Sequence, residues 1–387
     1  MDNFEFYNPT KIVFGKGVEN QVGAETAKYA KKVLIHFGGG SAIKSGLLDR
    51  VRASLKSAGV EFVELGGVQP NPRVTLVREG IELCRKENIS FILAVGGGSV
   101  IDSAKAIGVG VPVSHDVWDF YEYTKTPEKM LDIGVVLTIP AAGSESSPSS
   151  VVSNEEKQLK RGLTNEIMRP RFAFMNPELT FTLPAYQTAC GAADIMAHIM
   201  ERYFTNTKNV EFTDRLCESG LKTIINNVPH VLENPDDYNS RAEIMWTGCV
   251  AHNDLFNTGR EGDWGSHSIE HEISAIYDVA HGAGLAVVFP AWMKQVYKHD
   301  VARFAQFAER VWGLEMDHFN PERTALAGIH RLEAFFSSIG LPVRLSEMEV
   351  PADRIPEMAK KCTGSGTTGN FVKLDTAAVT EILNRAK

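Results

Sequence analysis

We predict an α/β domain over residues 1–182, built on a parallel sheet, followed by an all-helical domain over residues 183–387. Three features of the sequence predict this division. Short apolar runs alternate with helical patterns in the first half, two of these runs end in glycine-rich turns, and the second half shows helical periodicity with almost no strand signal. Strands that alternate with helices pair into parallel sheets through right-handed crossovers.

Four apolar runs predict the buried strands of the first domain: residues 32–37, 62–65, 91–95 and 133–139. The first run ends in Gly38-Gly39-Gly40-Ser41 and the third in Gly96-Gly97-Gly98-Ser99, and a helical pattern follows each turn. Residues 151–153 and 159–164 flank a charged turn, which predicts a protruding hairpin.

The second domain is predicted from the spacing of its apolar residues. Beyond Leu183-Pro184, small and apolar side chains recur at steps of three and four residues, as on an amphipathic helix. They include Ala189, Ala192, Met196, Ile199 and Tyr203.

Composition excludes several classes of protein. The 40 Lys and Arg residues against 48 Asp and Glu residues give a formal charge of -8, which argues against a nucleic-acid-binding protein. No apolar run approaches the ~18 residues that span a bilayer. The five cysteines form no CxxC pair, so we expect a reduced, cytoplasmic protein.

The turn Gly96-Gly97-Gly98-Ser99 is a candidate phosphate-binding site. Glycines let the backbone approach a ligand, and the N-terminus of the following helix presents free N–H groups to an anion. The spacing differs from the GxGxxG fingerprint, so a tight turn without a ligand remains an equal alternative. Asp102 and Lys105 follow on one helix face, where they either contact a ligand or form a surface pair.

One carboxylate and three of four nearby histidines could bind a metal ion. Asp194 and His198 are four residues apart in a helical stretch, and His267 and His271 repeat that spacing, with His281 ten residues later. Imidazole and carboxylate ligands suit divalent transition metals. The alternative is that these are ordinary polar positions on helices, but their clustering favours a metal.

These segments resemble the signatures of a known family. The block Trp264–Gly284 resembles the second signature of the iron-containing (group III) alcohol dehydrogenases, and the segment from Asn176-Pro177 to Glu201 resembles their first. Phe37–Ser41 and Leu137–Glu145 are typical of the butanol-dehydrogenase-like, aldehyde-reducing branch. The likeness covers nearly the whole chain. It implies a dehydroquinate synthase-like architecture, with a Rossmann-like dinucleotide-binding domain before a helical metal-binding domain.

The resemblance also implies roles for individual residues. The metal, Fe²⁺ or Zn²⁺, would be bound by Asp194, His198, His267 and His281. The cofactor would be bound by Asn71, Gly97, Gly98, Ser99, Asp102, Thr138 and Ser144. His271 would lie near the nicotinamide, and we assign it a catalytic role as a proton relay to the substrate oxygen. Members of the family suggest a homodimer.

The turn after the first strand is expected to bind the cofactor and to affect the choice between NADPH and NADH. It consists of Gly38, Gly39, Gly40 and Ser41. An acidic residue near the end of a neighbouring strand usually holds the ribose 2′-OH and repels a 2′-phosphate. NAD-preferring members of the family often have Asp at the position of Gly38, and Lys160 matches a cofactor-contacting Lys. We therefore expect a preference for NADPH over NADH, against the alternative that the glycines only form a turn.

The expected reaction is interconversion of primary alcohols, such as butanol, and aldehydes by hydride transfer. A polyol (glycerol-type) dehydrogenase and a dehydroquinate-synthase-like lyase are alternatives on the same architecture. The lyase requires several basic residues for a phosphorylated substrate, and residues 240–300 offer only Arg241, Arg260, Lys294 and Lys298. The alternative outside enzymes is a non-catalytic metal- and nucleotide-binding protein. We expect neither a nucleic-acid nor a membrane partner.

Overall fold

The computed structural model describes residues 1–364 and 366–387 of the chain, and these residues form two units. The α/β unit comprises Tyr7–Leu183 and Asp236–Asn253. The helical unit comprises Met1–Phe6, Pro184–Pro235 and the described part of Asp254–Lys387.

A six-stranded parallel sheet forms the centre of the α/β unit, in the order β1-β8-β5-β4-β2-β3. Its strands are β1 (Lys11–Phe14), β2 (Lys32–Gly38), β3 (Glu61–Val68), β4 (Phe91–Gly96), β5 (Asp132–Leu137) and β8 (Phe172–Met175). The predicted fold class, an α/β domain with a parallel sheet and a helical domain, is confirmed.

Helices cover both faces of this sheet because successive side chains of its strands point to opposite sides. Phe91, Leu93 and Val95 belong to one apolar cluster, and Ile92 and Ala94 belong to the other. The helices of the unit are α1 (Val22–Thr26), α2 (Ser41–Lys44), α3 (Leu47–Ser57), α4 (Val74–Lys86), α5 (Gly98–Gly110), α6 (Trp118–Tyr121) and α9 (Tyr238–Ala251).

Two strands, β1 and β8, were not predicted from the sequence. Each has only four residues, which is too short for a periodic pattern. β8 lies between β5 and β1, and β1 pairs with β8 across more than 150 residues of chain. Only the folded sheet reveals this non-local pairing.

The predicted hairpin is formed by β6 (Ser149–Asn154) and β7 (Leu159–Thr164). The prediction that it protrudes is wrong, because Val152 and Leu163 are buried in the same apolar cluster as α4 and α5. On the edge of β6 that does not pair with β7, the Ser153 N–H donates a hydrogen bond to the Pro72 carbonyl.

The two units do not correspond to one cut after residue 182, because α9 returns to the α/β unit. Met245 and Cys249 of α9 are buried in the core of that unit, and the Trp246 ring lies edge-on to Phe14, with 6.3 Å between centroids. The sequence of α9 has no distinct apolar face, so nothing local to it indicates which of the two units the helix belongs to.

The helical unit surrounds a long buried helix, α7 (Ala185–Tyr203). Its other α-helices are α8 (Glu211–Glu233), α10 (Gly265–Tyr277), α11 (His281–Val296), α12 (Val301–Trp312), α13 (Pro321–Ser338), α14 (Ile355–Thr363) and α15 (Thr376–Arg385). None of the helices in the described part of the chain combines the length and hydrophobicity that crossing a bilayer requires.

Candidate active site

One buried face of α7 carries Asp194, His198 and Glu201, at steps of four and three residues. Their exposed fractions are 4%, 3% and 0%. Polar side chains rarely occupy such positions unless they bind one another or a ligand. This buried polar face of α7 is therefore a candidate ligand-binding surface.

His267 of α10 and His281, the first residue of α11, approach this face. The Oδ1 atom of Asp194 lies 4.0 Å from His267 Nε2, 3.7 Å from His281 Nε2 and 3.4 Å from His198 Nδ1. The His198 and His267 rings stack, with 4.8 Å between centroids. The structure thus brings together all four residues predicted to bind the metal.

These side chains fit a divalent metal ion. One ligand atom from each of Asp194, His267 and His281 lies within 4.8 Å of the other two. His267 Nε2 is buried and has no hydrogen-bond partner among the described residues. Such an orphaned atom costs about 1–3 kcal/mol, which a bound cation would offset. A set of imidazole and carboxylate ligands suits iron and zinc.

Two glycines let α11 approach the site. A Cβ on Gly282 would overlap the backbone carbonyl of Cys190 in α7, and a Cβ on Gly284 would lie 2.7 Å from Glu270 Oε1 of α10. His281 therefore depends on glycine at both positions to reach the other ligands. Close helix packing explains why the sequence has Gly-Ala-Gly after this histidine.

Two further carboxylates contact the predicted ligands. Glu201 Oε1 accepts a hydrogen bond from His267 Nδ1 at 2.7 Å, and Glu270 Oε2 accepts one from His281 Nδ1. Neither Glu201 nor Glu270 was predicted from the sequence to have a role in the site. Glu201 follows His198 by three residues and Glu270 follows His267 by three, so each lies on the same helix face as a predicted ligand. This spacing does not show that the hydrogen-bond partner of each glutamate lies on another helix.

His271 lies one turn beyond His267 on α10, as predicted. Its ring is partly exposed, and its centroid lies 5.7 Å from that of His281. The residue is therefore adjacent to the predicted metal ligands and open to solvent on one side.

The predicted phosphate-binding turn joins β4 to α5 in the α/β unit. Helix α5 begins at Gly98, so the first N–H groups of a 13-residue helix lie at the turn, where an anion is favoured. A Cβ on Gly97 would lie 3.0 Å from Ile139 Cβ, and one on Gly98 would lie 2.8 Å from Ala142 Cβ. The glycines therefore also allow the turn to pack on the loop after β5.

Asp102, Lys105 and Ser144 form a buried network behind this turn. Asp102 Oδ1 accepts a hydrogen bond from the Ser144 hydroxyl at 2.6 Å, and its Oδ2 accepts one from Val151 N–H at 2.9 Å. The Lys105 ammonium donates to the backbone carbonyls of Ser144, Ser147 and Ser149. Burial lowers the pKa of Lys105 to about 8. Lys105 is thus an internal cation, and the surface-pair alternative is wrong.

The other predicted cofactor residues lie at strand ends and in the hairpin. Gly38 ends β2 and Thr138 follows β5, so both lie at the carboxyl edge of the sheet with Gly97. A Cβ on Gly39 or Gly40 would meet no atom within 4 Å, which leaves open space beside Ser41 at the start of α2.

Asn71 and Lys160 lie on neighbouring segments. Asn71 is 6% exposed and has a left-handed backbone, with φ of 54°. Lys160 is 3% exposed and pairs in β7 with Ser153 of β6, whose N–H binds the carbonyl of Pro72. The hairpin therefore places Lys160 beside the Asn71 loop.

Comparison with known protein families gives two matches that together span most of the chain. The sequence matches the model of the iron-containing alcohol dehydrogenase family over residues 9–177, and the C-terminal model of the Fe-containing alcohol dehydrogenase family over residues 188–387.

Individual relatives match over almost their full length. The chain is 41% identical over 383 residues to the probable NADH-dependent butanol dehydrogenase 1 of Bacillus subtilis (strain 168), with 99% of each chain covered. It is 36% identical over 371 residues to the NADPH-dependent aldehyde reductase YqhD of Escherichia coli (strain K12), with 95% of each covered. The crystal structure of NADH-dependent butanol dehydrogenase A from Thermotoga maritima matches with a TM-score of 0.96 and 40% identity, covering 100% of this chain and 99% of that one. This chain belongs to the iron-containing alcohol dehydrogenase family.

Proposed function

We propose that this protein interconverts primary alcohols, such as butanol, and their aldehydes by hydride exchange with a nicotinamide cofactor, with Asp194, His198, His267 and His281 binding one divalent metal ion. The observation that carries the proposal is the convergence of the three imidazoles on Asp194, with the buried His267 Nε2 lacking any hydrogen-bond partner in the described chain. Membership of the family makes the chain an oxidoreductase of the alcohol dehydrogenase type.

The residues have separate tasks in this reaction. When bound, a divalent metal would supply Lewis-acid polarisation of the substrate oxygen, and a nicotinamide would supply or accept the hydride. Asp194 and His198 of the buried α7 face, together with His267 and His281, would hold the ion. His271, which is partly exposed, moves the proton between the substrate oxygen and solvent.

The ion is Fe²⁺ or Zn²⁺, because three imidazoles and a carboxylate suit both. Metal analysis of protein purified without oxygen, paired with the initial rate of butanal reduction followed by absorbance of the nicotinamide, tests the proposal. One ion per chain and turnover that disappears on chelation are the expected results. Full turnover of metal-free protein would contradict the metal site.

We propose NADPH as the preferred cofactor. The support is the absence of a carboxylate at Gly38, the open space at Gly39 and Gly40, and the buried Lys160 on the adjoining hairpin. Names of relatives point both ways: those from B. subtilis and T. maritima are called NADH-dependent, and that from E. coli NADPH-dependent. The choice therefore rests on the residues of this chain, and kcat/KM measured with NADPH and with NADH tests it.

The lyase alternative is not favoured. Two of its four candidate cations are committed to ion pairs, Arg260 to Asp214 at 2.9 Å and Lys294 to Glu333 at 2.6 Å. A phosphorylated substrate would have to compete with these carboxylates. We further propose a homodimer in a reducing cytoplasm, which accords with five free cysteines.

A further inference from the structure

Behind His267 and His281 lie two carboxylates, Glu201 and Glu270, that are both fully buried. We infer that Glu201 and Glu270 are positioning residues that hold the His267 and His281 imidazoles in the metal-binding tautomer and orientation, and thereby set the affinity and retention of the ion. This inference rests on the proposed ligand set, since it concerns how two of those ligands are held.

Glu201 accepts three hydrogen bonds from the start of α10 and the residue before it. Its Oε1 accepts the His267 ring N–H at 2.7 Å and the His267 backbone N–H at 3.1 Å, while Oε2 accepts the Trp264 N–H at 2.6 Å. Two of these donors are backbone groups at the N-terminus of α10, where a carboxylate is favoured. Glu201 therefore ties the start of α10 to α7 and fixes the ring in the same contact.

Glu270 has an equivalent role for α11. Its Oε2 accepts the His281 ring N–H, and its Oε1 accepts the Ser274 hydroxyl. A Cβ at Gly284 would lie 2.7 Å from Oε1, so the glycine leaves room for this carboxylate. Each histidine thus has a buried carboxylate of its own, although the two carboxylates come from different helices.

The consequence concerns the other nitrogen of each ring. A carboxylate accepts hydrogen bonds, so Nδ1 of each ring carries the proton and Nε2 is left with its lone pair. Both Nε2 atoms face Asp194 Oδ1, at 4.0 and 3.7 Å. Hydrogen bonds of this kind orient a metal-binding imidazole and raise its basicity.

The same geometry decides between two possible ion positions. Glu270, His271 and His281 also lie close enough together to bind a cation. Because His281 Nδ1 donates to Glu270, these two side chains bind each other and do not form a second site. One ion per chain is therefore expected.

Isosteric variants of the holoprotein test the inference. Glu201→Gln and Glu270→Gln keep the shape of each side chain and remove its charge. We expect affinity for Zn²⁺, measured by competition with a chromogenic chelator, to fall about 10–100-fold in each, and the absorption spectrum of Co²⁺-loaded protein to change. Glu218→Gln is the matched control, because Glu218 is a buried carboxylate of the same unit that binds the Tyr203 hydroxyl. It should leave both readouts unchanged.

Each result has a defined meaning. Wild-type affinity and spectrum in both variants would overturn the inference while leaving the ligand set intact. Full metal content in His267→Ala would instead overturn the ligand set, and the inference with it. Glu201 also holds the start of α10, so if Glu201→Gln does not fold, Glu270→Gln alone decides.

Discussion

The Lys105 ammonium lies 2.8 Å from the backbone carbonyl oxygen of Ser144. The same nitrogen also binds the carbonyls of Ser147 and Ser149, and Asp102, three residues earlier on α5, accepts the Ser144 hydroxyl. One helix therefore carries the glycine turn at its start and holds the loop of residues 144–149 by two side chains. The two predicted parts of the cofactor site are fixed to each other through α5.

The first prediction follows from this arrangement. Lys105→Met removes the cation and leaves two buried carbonyls, of Ser144 and Ser147, without this donor, at a cost of about 1–3 kcal/mol each before relaxation. The partly buried Ser149 carbonyl loses the same donor. We expect lower stability of the α/β unit and a raised KM for the cofactor, with unchanged metal content. Urea unfolding, cofactor titration by fluorescence and metal analysis measure these three effects. Lys56→Met, on the exposed side of α3, is the control. An unchanged KM would show that the loop does not need Lys105.

The Lys105 network also shows how far the sequence predicts this protein. The glycine turn was predicted because strand, glycines and helix are contiguous. The partners of Lys105 lie 39–44 residues away, and nothing local indicates that its ammonium turns inward. A pattern of charges on a helix face looks the same for a surface pair and for a buried cation.

The candidate metal site also has a part that the sequence predicts and a part that only the structure shows. The i, i+4 spacings of Asp194 with His198 and of His267 with His271, and the nearby His281, indicated a metal site. The family resemblance selected Asp194, His198, His267 and His281, and the structure brings these four side chains together. Glu201 and Glu270 were not assigned, because each contacts an imidazole that is 11 or more residues away. A glutamate three residues after a histidine on a helix does not by itself indicate a hydrogen bond to a histidine on another helix. Only the structure shows the contacts of Glu201 with His267 and of Glu270 with His281.

The second prediction concerns the metal. His267→Ala removes a proposed metal ligand that no backbone atom replaces, so we expect metal content to fall from one ion per chain to near zero and turnover to disappear. Cofactor binding by the α/β unit should remain. Inductively coupled plasma analysis and cofactor titration provide the readouts. His330→Ala removes an exposed imidazole of α13 and should change neither. Retention of the ion at near-normal rates would make the ligand set wrong.

The third prediction separates two roles of His271. If the imidazole relays the proton to the substrate oxygen, His271→Ala should keep the metal and lower kcat by about 10²–10⁴-fold. If the ring only packs against the nicotinamide, the variant should lose cofactor affinity at unchanged kcat. Steady-state kinetics with saturating and limiting cofactor distinguish the two outcomes, and the second would remove the catalytic assignment.

The fourth prediction is a pH dependence of stability that originates at Glu145. Burial raises the pKa of this carboxyl from 4.5 to about 7. The folded state therefore keeps a proton that the unfolded chain releases, so the free energy of unfolding falls as pH rises from about 4.5 to about 7, by about 3 kcal/mol. Glu145→Gln should reduce this slope in urea unfolding and raise stability above pH 7. Asp263, whose carboxyl pKa burial also raises to about 7, keeps its own share of the slope. Glu128→Gln, at an exposed position, serves as the control. An unchanged slope in Glu145→Gln would place its origin elsewhere.

The fifth prediction decides the cofactor. Gly38 has no positive φ, and a Cβ there would lie 3.5 Å from the Val68 carbonyl and 3.7 Å from Val100 Cγ2, which are ordinary contacts. Aspartate therefore fits at this position without strain. We expect wild-type kcat/KM to favour NADPH, and Gly38→Asp to lower kcat/KM with NADPH about 10–100-fold by charge repulsion of the 2′-phosphate, with little loss for NADH. Gly38→Asn has the same shape without the charge, so it should stay close to wild type. Equal or better efficiency with NADH in the wild type, unaffected by the aspartate, would contradict the preference and leave the glycines as a turn alone.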